Sequence, residues 1–198
     1  MAINFVPLTG KKVKLRPLRN SDLDALCEHA RDREISRFTF VPHPYRPDHA
    51  RRFLDYCRVQ ARKGIGMHFG IEERSSGRII GVVGIEGIDR HNRKAEIGYW
   101  LGKKYWRQGI AFEAVSLVLK YLFGTLRMNR VYAHIFPGNI ASERLLLRLG
   151  FLYEGMERAS RLRRGRWMDC ILYAILREEY RAGRRQSGKS HSSREDEK

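Results

Sequence analysis

Two hydrophobic periods alternate along this chain. Val13–Leu18 sets apolar residues against basic ones with period two, as an edge strand does, and Pro17 closes it. Leu23, Leu26, Cys27 and Ala30 then recur at helical spacing, behind Asn20 or Ser21 as cap and with Asp22 and Asp24 in the first turn. The prolines between Thr39 and Pro47 enforce a loop. Asp48 caps a second predicted helix, whose stripe of Ala50, Phe53, Leu54, Cys57 and Val59 runs up to Gly64. Met67–Ile71 and Arg78–Ile88 read as a hairpin around Ser75-Ser76-Gly77. The near-continuous run Ile79, Ile80, Val82, Val83, Ile85 predicts a central strand buried on both faces. Ala95–Leu101 is the next strand. The segment from about Gly109 to Phe123 is apolar on most sides, so it predicts a helix set deep against the sheet, with Gly124 as C-cap. Val131–Phe136 is a strand. Asn139 opens a helix carrying Ile140, Leu145, Leu146, Leu147 and Leu149, with Gly150 as C-cap. Two strands finish the pattern, Phe151–Met156 extending to Leu162, and Trp167–Leu176, joined by Arg163-Arg164-Gly165-Arg166. The count is about seven strands and about four helices. Strands flanking single helices imply an α/β (α+β) fold with a mixed sheet, at least partly parallel.

A length of 198 residues suits one domain, placed at residues 1–180. Residues 181–198 carry no large apolar side chain, which predicts a disordered basic and polar tail. The longest apolar stretches fall far short of the roughly 20 residues of a membrane span. The first residues lack the order of a signal peptide, so a cytoplasmic protein without membrane contact is expected. Cys27, Cys57 and Cys170 are odd in number and widely spaced, which predicts reduced thiols and no metal site. The 39 Lys and Arg outweigh 22 Asp and Glu, a formal charge of +17. Such a field favours polyanionic partners, among them a phosphorylated cofactor and the ribosome or other RNA. A solubilising surface explains it equally well.

Chemistry concentrates in Ala95–Ala111, AEIGYWLGKKYWRQGIA. It reads as a strand broken at Gly102, a basic turn punctuated by Gly109, and the first turn of a helix from Ile110. Such a turn aims backbone N–H groups at one point, at the positive end of a helix dipole. That is a receptacle for a pyrophosphate.

Four segments in order form a constellation: AEIGYWL at 95–101, YWRQGIAFEA at 105–114, PGNIAS at 137–142, and LLRLGFLYEG at 146–155 followed by GRWMDCILYAIL. From about Lys12 to Tyr180 the chain resembles the GCN5-related N-acetyltransferase (GNAT) superfamily, and within it the ribosomal-protein N-terminal-alanine acetyltransferases. The resemblance implies a single-domain GNAT fold whose fourth and fifth strands splay apart, with acetyl-CoA as donor and its pantetheine in the gap. On that template Ile97, Gly98, Tyr99, Trp100 and Leu101 offer backbone groups to pantetheine. Trp106, Arg107, Gln108, Gly109, Ile110 and Ala111 cradle the pyrophosphate, and Gly109 is where a side chain would block close approach. Close relatives often have Gly where Arg107 stands. Arg107 thus excludes a backbone that only Gly tolerates. Asn139 would be a cofactor contact or an N-cap. Arg148 would be a phosphate contact or a solvated charge.

Acetyl transfer to an amine needs a group to take the amine's proton and one to protonate the leaving thiolate. The resemblance supports Ser142 as the acid, against an ordinary first-turn serine. Glu96, on the strand lining the cleft, is the candidate base, against a Glu paired with Arg93 or Lys94. Some relatives instead carry a Glu in the segment here reading ERASRL, where Arg161 stands. Glu154 and Asp169 are backup bases, Glu113 is structural, and Tyr132, Tyr153 and Tyr173 could serve as acid or wall. His134 reads as a packing residue.

The acceptor side carries Arg158, Arg161, Arg163, Arg164 and Arg166 in the last hairpin. A positive rim repels polyamines and aminoglycosides and tolerates an acidic peptide N-terminus or a protein seated on RNA. The sequence shows no acidic clustering near the cleft, which argues further against polyamines. The expected activity is acetyl transfer to the N-terminal α-amine of a protein such as a ribosomal protein. The alternatives are a small-molecule amine or lysine side chain as acceptor, and a non-catalytic acyl-CoA sensor or RNA-associated accessory protein. A homodimer is left open.

Overall fold

A computed structural model describes residues 5–183. Eight strands form one sheet: β1 (Leu8–Thr9), β2 (Val13–Pro17), β3 (Met67–Glu73), β4 (Ile79–Asp89), β5 (Lys94–Leu101), β6 (Arg130–Ile135), β7 (Leu152–Arg163) and β8 (Arg166–Leu176). The helices are α1 (Leu23–Ala30), α2 (Arg33–Arg37), α3 (Pro47–Lys63), α4 (Ile110–Lys120), α5 (Ile140–Arg148) and α6 (residues 177–183). The additions to the sequence pattern are all short: two-residue β1, five-residue α2 and α6. Residues 181–183 are helical, not part of a disordered tail, while 184–198 lie outside the described residues.

The sheet order is β1-β2-β3-β4-β5-β6-β8-β7, antiparallel everywhere except between β5 and β6. Residues 79–85 of β4 are buried without a break, as a strand covered on both faces must be. α4 covers one face. Ile110, Ala114, Val115, Val118 and Leu119 pack on Phe69, Val83, Ile85 and Ile97, and Leu146 and Phe151 extend this core under α5. Each large side chain buried there contributes about 1.5–3 kcal/mol. The opposite face carries a smaller core of Leu18, Leu26, Ala50, Leu54, Cys57, Ile79 and Val82 beneath α1 and α3.

Several ends differ from the pattern. The Asn20–Asp22 segment is a 3-10 turn, and Asp22 is buried against the Arg16 guanidinium at 2.7 and 2.8 Å. Its carboxylate serves an ion pair, and α1 starts at Leu23 behind Asp22, not directly behind Asn20 or Ser21. At α3, Arg46 occupies the cap position and its amide donates to His49 Nδ1 at 3.1 Å, so Asp48 belongs to the first turn. Gly124 does not end α4. The helix widens into a π turn over Tyr121–Thr125, closed by Leu126 N donating to Tyr121 O at 3.0 Å. Gly150, with φ of 90°, does end α5.

Two irregularities shape the functional side. β5 and β6 pair only at Lys94/Arg130, Ala95/Val131 and Glu96/Tyr132. Beyond Glu96, β5 keeps β4 on one edge while β6 stays with β8. The expected splay is therefore between β5 and β6, the fourth and fifth strands when β1 is left out. In the last hairpin, Glu157 faces Cys170 and Arg161 faces Met168, so a bulge of 158–160 stands opposite Asp169. Ala159 sits at φ of 48° and its amide donates to Asp169 Oδ1 at 2.8 Å. Arg164 and Gly165, both at positive φ, make the two-residue turn.

Candidate active site

The splay opens into a cleft of about 570 Å³ on the α3 side of the sheet. Side chains pointing to one face alternate along a strand, so rows across β4 and β5 define its floor. Those rows are Glu86 opposite Glu96, Gly84 opposite Gly98, and Val82 opposite Trp100. Phe38, Phe40, Tyr45, Phe53 and Tyr56 form aromatic walls, and Asn139 and Ser142 stand at the far end. The cleft therefore gathers Glu96, Ile97, Gly98, Tyr99, Trp100, Asn139 and Ser142 from the sequence-predicted set.

The turn before α4 lies beside the end of β5. The first α-helical bond runs from Glu113 N to Gly109 O at 3.0 Å, so the amides just ahead of it stand outside the helical ladder. Gly109 caps the helix at φ of 75°, where a non-glycine residue costs about 1–2 kcal/mol. A Cβ there would meet only Lys12 Nζ, at 4.0 Å, so the protein itself leaves this space open. Lys12 Nζ donates to Gln108 O at 2.7 Å, and Glu113 Oε1 accepts from Lys12 N at 2.8 Å, tying the turn to β2. Glu113 is thus structural.

Two expectations for this turn are corrected. Trp106 does not offer its amide. That amide donates to Lys103 O at 3.1 Å, and the indole Nε1 donates to Leu101 O at 2.6 Å. Trp106 closes the loop. Arg107 adopts φ of 60°, the left-handed conformation its side chain had seemed to exclude, so the chain keeps a glycine-like turn at an energetic cost. Arg148 lies outside the cleft, with its guanidinium 4.5 Å from the Phe112 ring centre on α4.

At the head of α5, Asn139 Oδ1 accepts from Ser142 N at 3.2 Å, so Asn139 is an N-cap in fact. The Tyr99 hydroxyl is buried with no hydrogen-bond partner of normal geometry, and Ser142 is the hydroxyl bearing on it. Burial pushes the Tyr99 phenol up to about 12.

Glu96 is more heavily engaged than a strand-edge pairing with Arg93 or Lys94 would make it. His134 Nδ1 lies 2.9 Å from Glu96 Oε1, and Arg161 Nη2 lies 3.2 Å from Oε2. His134 Nε2 lies 3.2 Å from Glu157 Oε2. The hydrogen bond to Glu96 holds the His134 imidazole above its ordinary value, against burial. His134 therefore links two carboxylates and is not a packing residue. The missed signal is alternation: Tyr132, His134 and Phe136 share one face of β6, and Tyr132 pairs with Glu96. The remaining candidates lie elsewhere. Glu154 pairs with Arg130 at 2.5 Å, Asp169 holds the bulge, and Tyr173 donates to Glu143 at 2.8 Å.

The reading of a cleft without acidic clustering is also overturned. Glu86 and Glu96 face each other across the ladder, ten residues apart around the Asp89–Lys94 turn.

A splayed parallel pair, a glycine-capped helix and a polar helix head facing one cleft make a donor-binding frame. The family model described as an acetyltransferase (GNAT) domain matches residues 12–152. The chain belongs to the GNAT acetyltransferases. It is similar to the uncharacterized N-acetyltransferase p20 of Bacillus licheniformis, 32% identical over 87% of this chain and 97% of that protein. It is also similar to the [ribosomal protein uS5]-alanine N-acetyltransferase of Escherichia coli, 32% identical over 62% of this chain and 64% of that one. Among solved structures, Mycobacterium smegmatis RimJ in complex with CoA-disulfide superposes with a TM-score of 0.77 at 27% identity, covering 88% of this chain and 87% of that one. This GNAT protein is an acetyl-CoA-dependent N-acyltransferase. Among the described residues, no helix is long and apolar enough to cross a membrane.

Proposed function

We propose that the enzyme acetylates the N-terminal α-amine of a protein, a ribosomal protein among the candidates. The observation that carries this reading is the cleft itself. It continues past the β5–β6 gap into an aromatic-walled chamber under residues 38–45 and α3, spacious enough for the leading residue of a peptide. The E. coli relative named for ribosomal protein uS5 supports the same acceptor class, and the +17 charge suits work beside RNA.

The residues present fit acetyl-CoA. Gly98 has open space where a Cβ would be, and β5 has a free edge beyond Glu96. In the proposed arrangement the backbone of Ile97–Leu101 holds pantetheine, and the amides of Arg107–Ala111 hold the pyrophosphate. Acetyl-CoA supplies a thioester carbonyl open to attack, with the thiol of coenzyme A as leaving group. Glu96 takes the proton that the amine loses. His134 and Glu157 extend from Glu96 toward solvent and give that proton a way out. Ser142 delivers a proton to the leaving sulfur. Asn139 fixes the first turn of α5 and so the place of Ser142.

The test is thiol release from acetyl-CoA with a panel of acceptors: Ala- and Ser-starting peptides, the same peptides with blocked N-termini, and small amines. Turnover confined to free peptide N-termini supports the reading. Turnover of small amines alone replaces it with the small-molecule alternative, which the paired Glu86 and Glu96 would then serve.

A further inference from the structure

Of the two carboxylates facing each other in the cleft, Glu96 has two close basic partners and Glu86 has one. Glu96 lies against the cationic Arg161 guanidinium and His134. Glu86 has His68, whose Nε2 lies 3.1 Å from its Oε1. His68 is only 3% exposed, yet half of the Glu86 side chain is open.

The surroundings fix the position of His68. Its Nδ1 is buried with no hydrogen-bond partner. Its other ring nitrogen, Nε2, faces Glu86. The buried ring thereby fixes the place of the half-open Glu86 carboxylate. The ring is clamped edge-on by Phe53 and Tyr56, with centroids 5.8 and 5.4 Å away.

The backbone is also shaped around this ring. His68 pairs with Gly84 across β3 and β4. A Cβ on Gly84 would stand 2.7 Å from His68 Cδ2 and 3.1 Å from Nε2. Glycine inside a strand weakens it, and here it gives the ring its room.

We propose that Glu86 is the anchor for the acceptor's ammonium group and that His68 is the positioning residue that aims it. An amine reaches an enzyme largely as an ammonium ion, with an α-amine titrating near 8. A half-open carboxylate with a single close partner, beside the rings of Phe53 and Tyr56, favours that cation. His49, Arg52, Arg161 and His134 also line the cleft, so additional positive charge on the acceptor is disfavoured. The acceptor class is therefore a singly charged primary amine on an otherwise neutral or acidic molecule. This rests on the amine-acetylating reading above and narrows it.

The test is steady-state kinetics with saturating acetyl-CoA and an Ala-starting peptide, without Lys or Arg, as the varied acceptor. Glu86→Gln should raise the acceptor KM by about tenfold or more, with kcat within about threefold and the acetyl-CoA KM unchanged. His68→Phe and Gly84→Ala should move the acceptor KM in the same direction. His68→Phe should add little on the Glu86→Gln background. An acceptor KM within about twofold of the parent in Glu86→Gln overturns the proposal, as does an equal rise in both KM values. If the parent enzyme uses small amines and no peptide, the peptide reading falls, and the Glu86 comparison is made on the best of those amines with the same criteria.

Discussion

Arg161 Nη2 reaches both oxygens of Glu96, at 3.2 and 3.3 Å, from a strand three places away in the sheet. The 158–160 bulge precedes Arg161 and shifts its register on β8, and Arg161 lines the cleft. Arg161 Nη2 also lies 3.0 Å from His134 Nδ1 and depresses that imidazole's pKa through its charge. Arg161→Gln should therefore raise the His134 pKa further. A nuclear magnetic resonance titration of the ring reads it directly, and an unchanged or lower value would contradict the electrostatic account.

His134 should also make stability depend on pH. Its folded-state pKa is raised above the ordinary 6.5 by Glu96 and Glu157, against burial and Arg161. The contribution is then complete below 6.5 and is lost as pH rises through the raised value. Urea midpoints of the parent and His134→Asn should differ most at about pH 5.5 and converge toward about pH 9. A gap that widens with pH would reverse the sign of this linkage.

Gly109→Val should lower coenzyme A affinity by about tenfold or more, about 1.4 kcal/mol, as measured by calorimetry. Two causes act together: the φ of 75° excludes a β-branched residue, and the side chain fills open space at the start of α4. Undiminished binding would move the pyrophosphate away from this turn.

Ser142→Ala should reduce kcat by about 100-fold or more while coenzyme A affinity stays within about twofold. Asn139→Ala, which removes the cap on α5, should instead cost about 1 kcal/mol of folding stability. If Ser142→Ala chiefly weakened coenzyme A binding, Ser142 would be a cofactor contact and not the acid.

The main elements were legible because their apolar periods are long. β4, the start of α4 and the Gly150 cap could be read to within about a residue. What escaped notice depends on pairing. The Glu86–Glu96 pair follows from the register of the β4–β5 hairpin, and a hairpin with an irregular turn does not declare its register. His134 looked like packing because its partners come from β5 and β7, 38 and 27 residues away. Arg107 shows a different limit. Propensity assigns the left-handed region to glycine, and here the turn geometry overrides it. Gly124 shows the reverse, a glycine carried through a π turn.

Only three residue pairs, Lys94/Arg130, Ala95/Val131 and Glu96/Tyr132, join the five-stranded and three-stranded halves of the sheet. That seam is a short hydrogen-bonded link as well as an entrance. A molecule wedged beyond it would brace the halves against each other, slowing amide hydrogen exchange along β6 without touching every strand that stiffens. Occupancy of the gap would thus be felt as rigidity on the far side of the molecule.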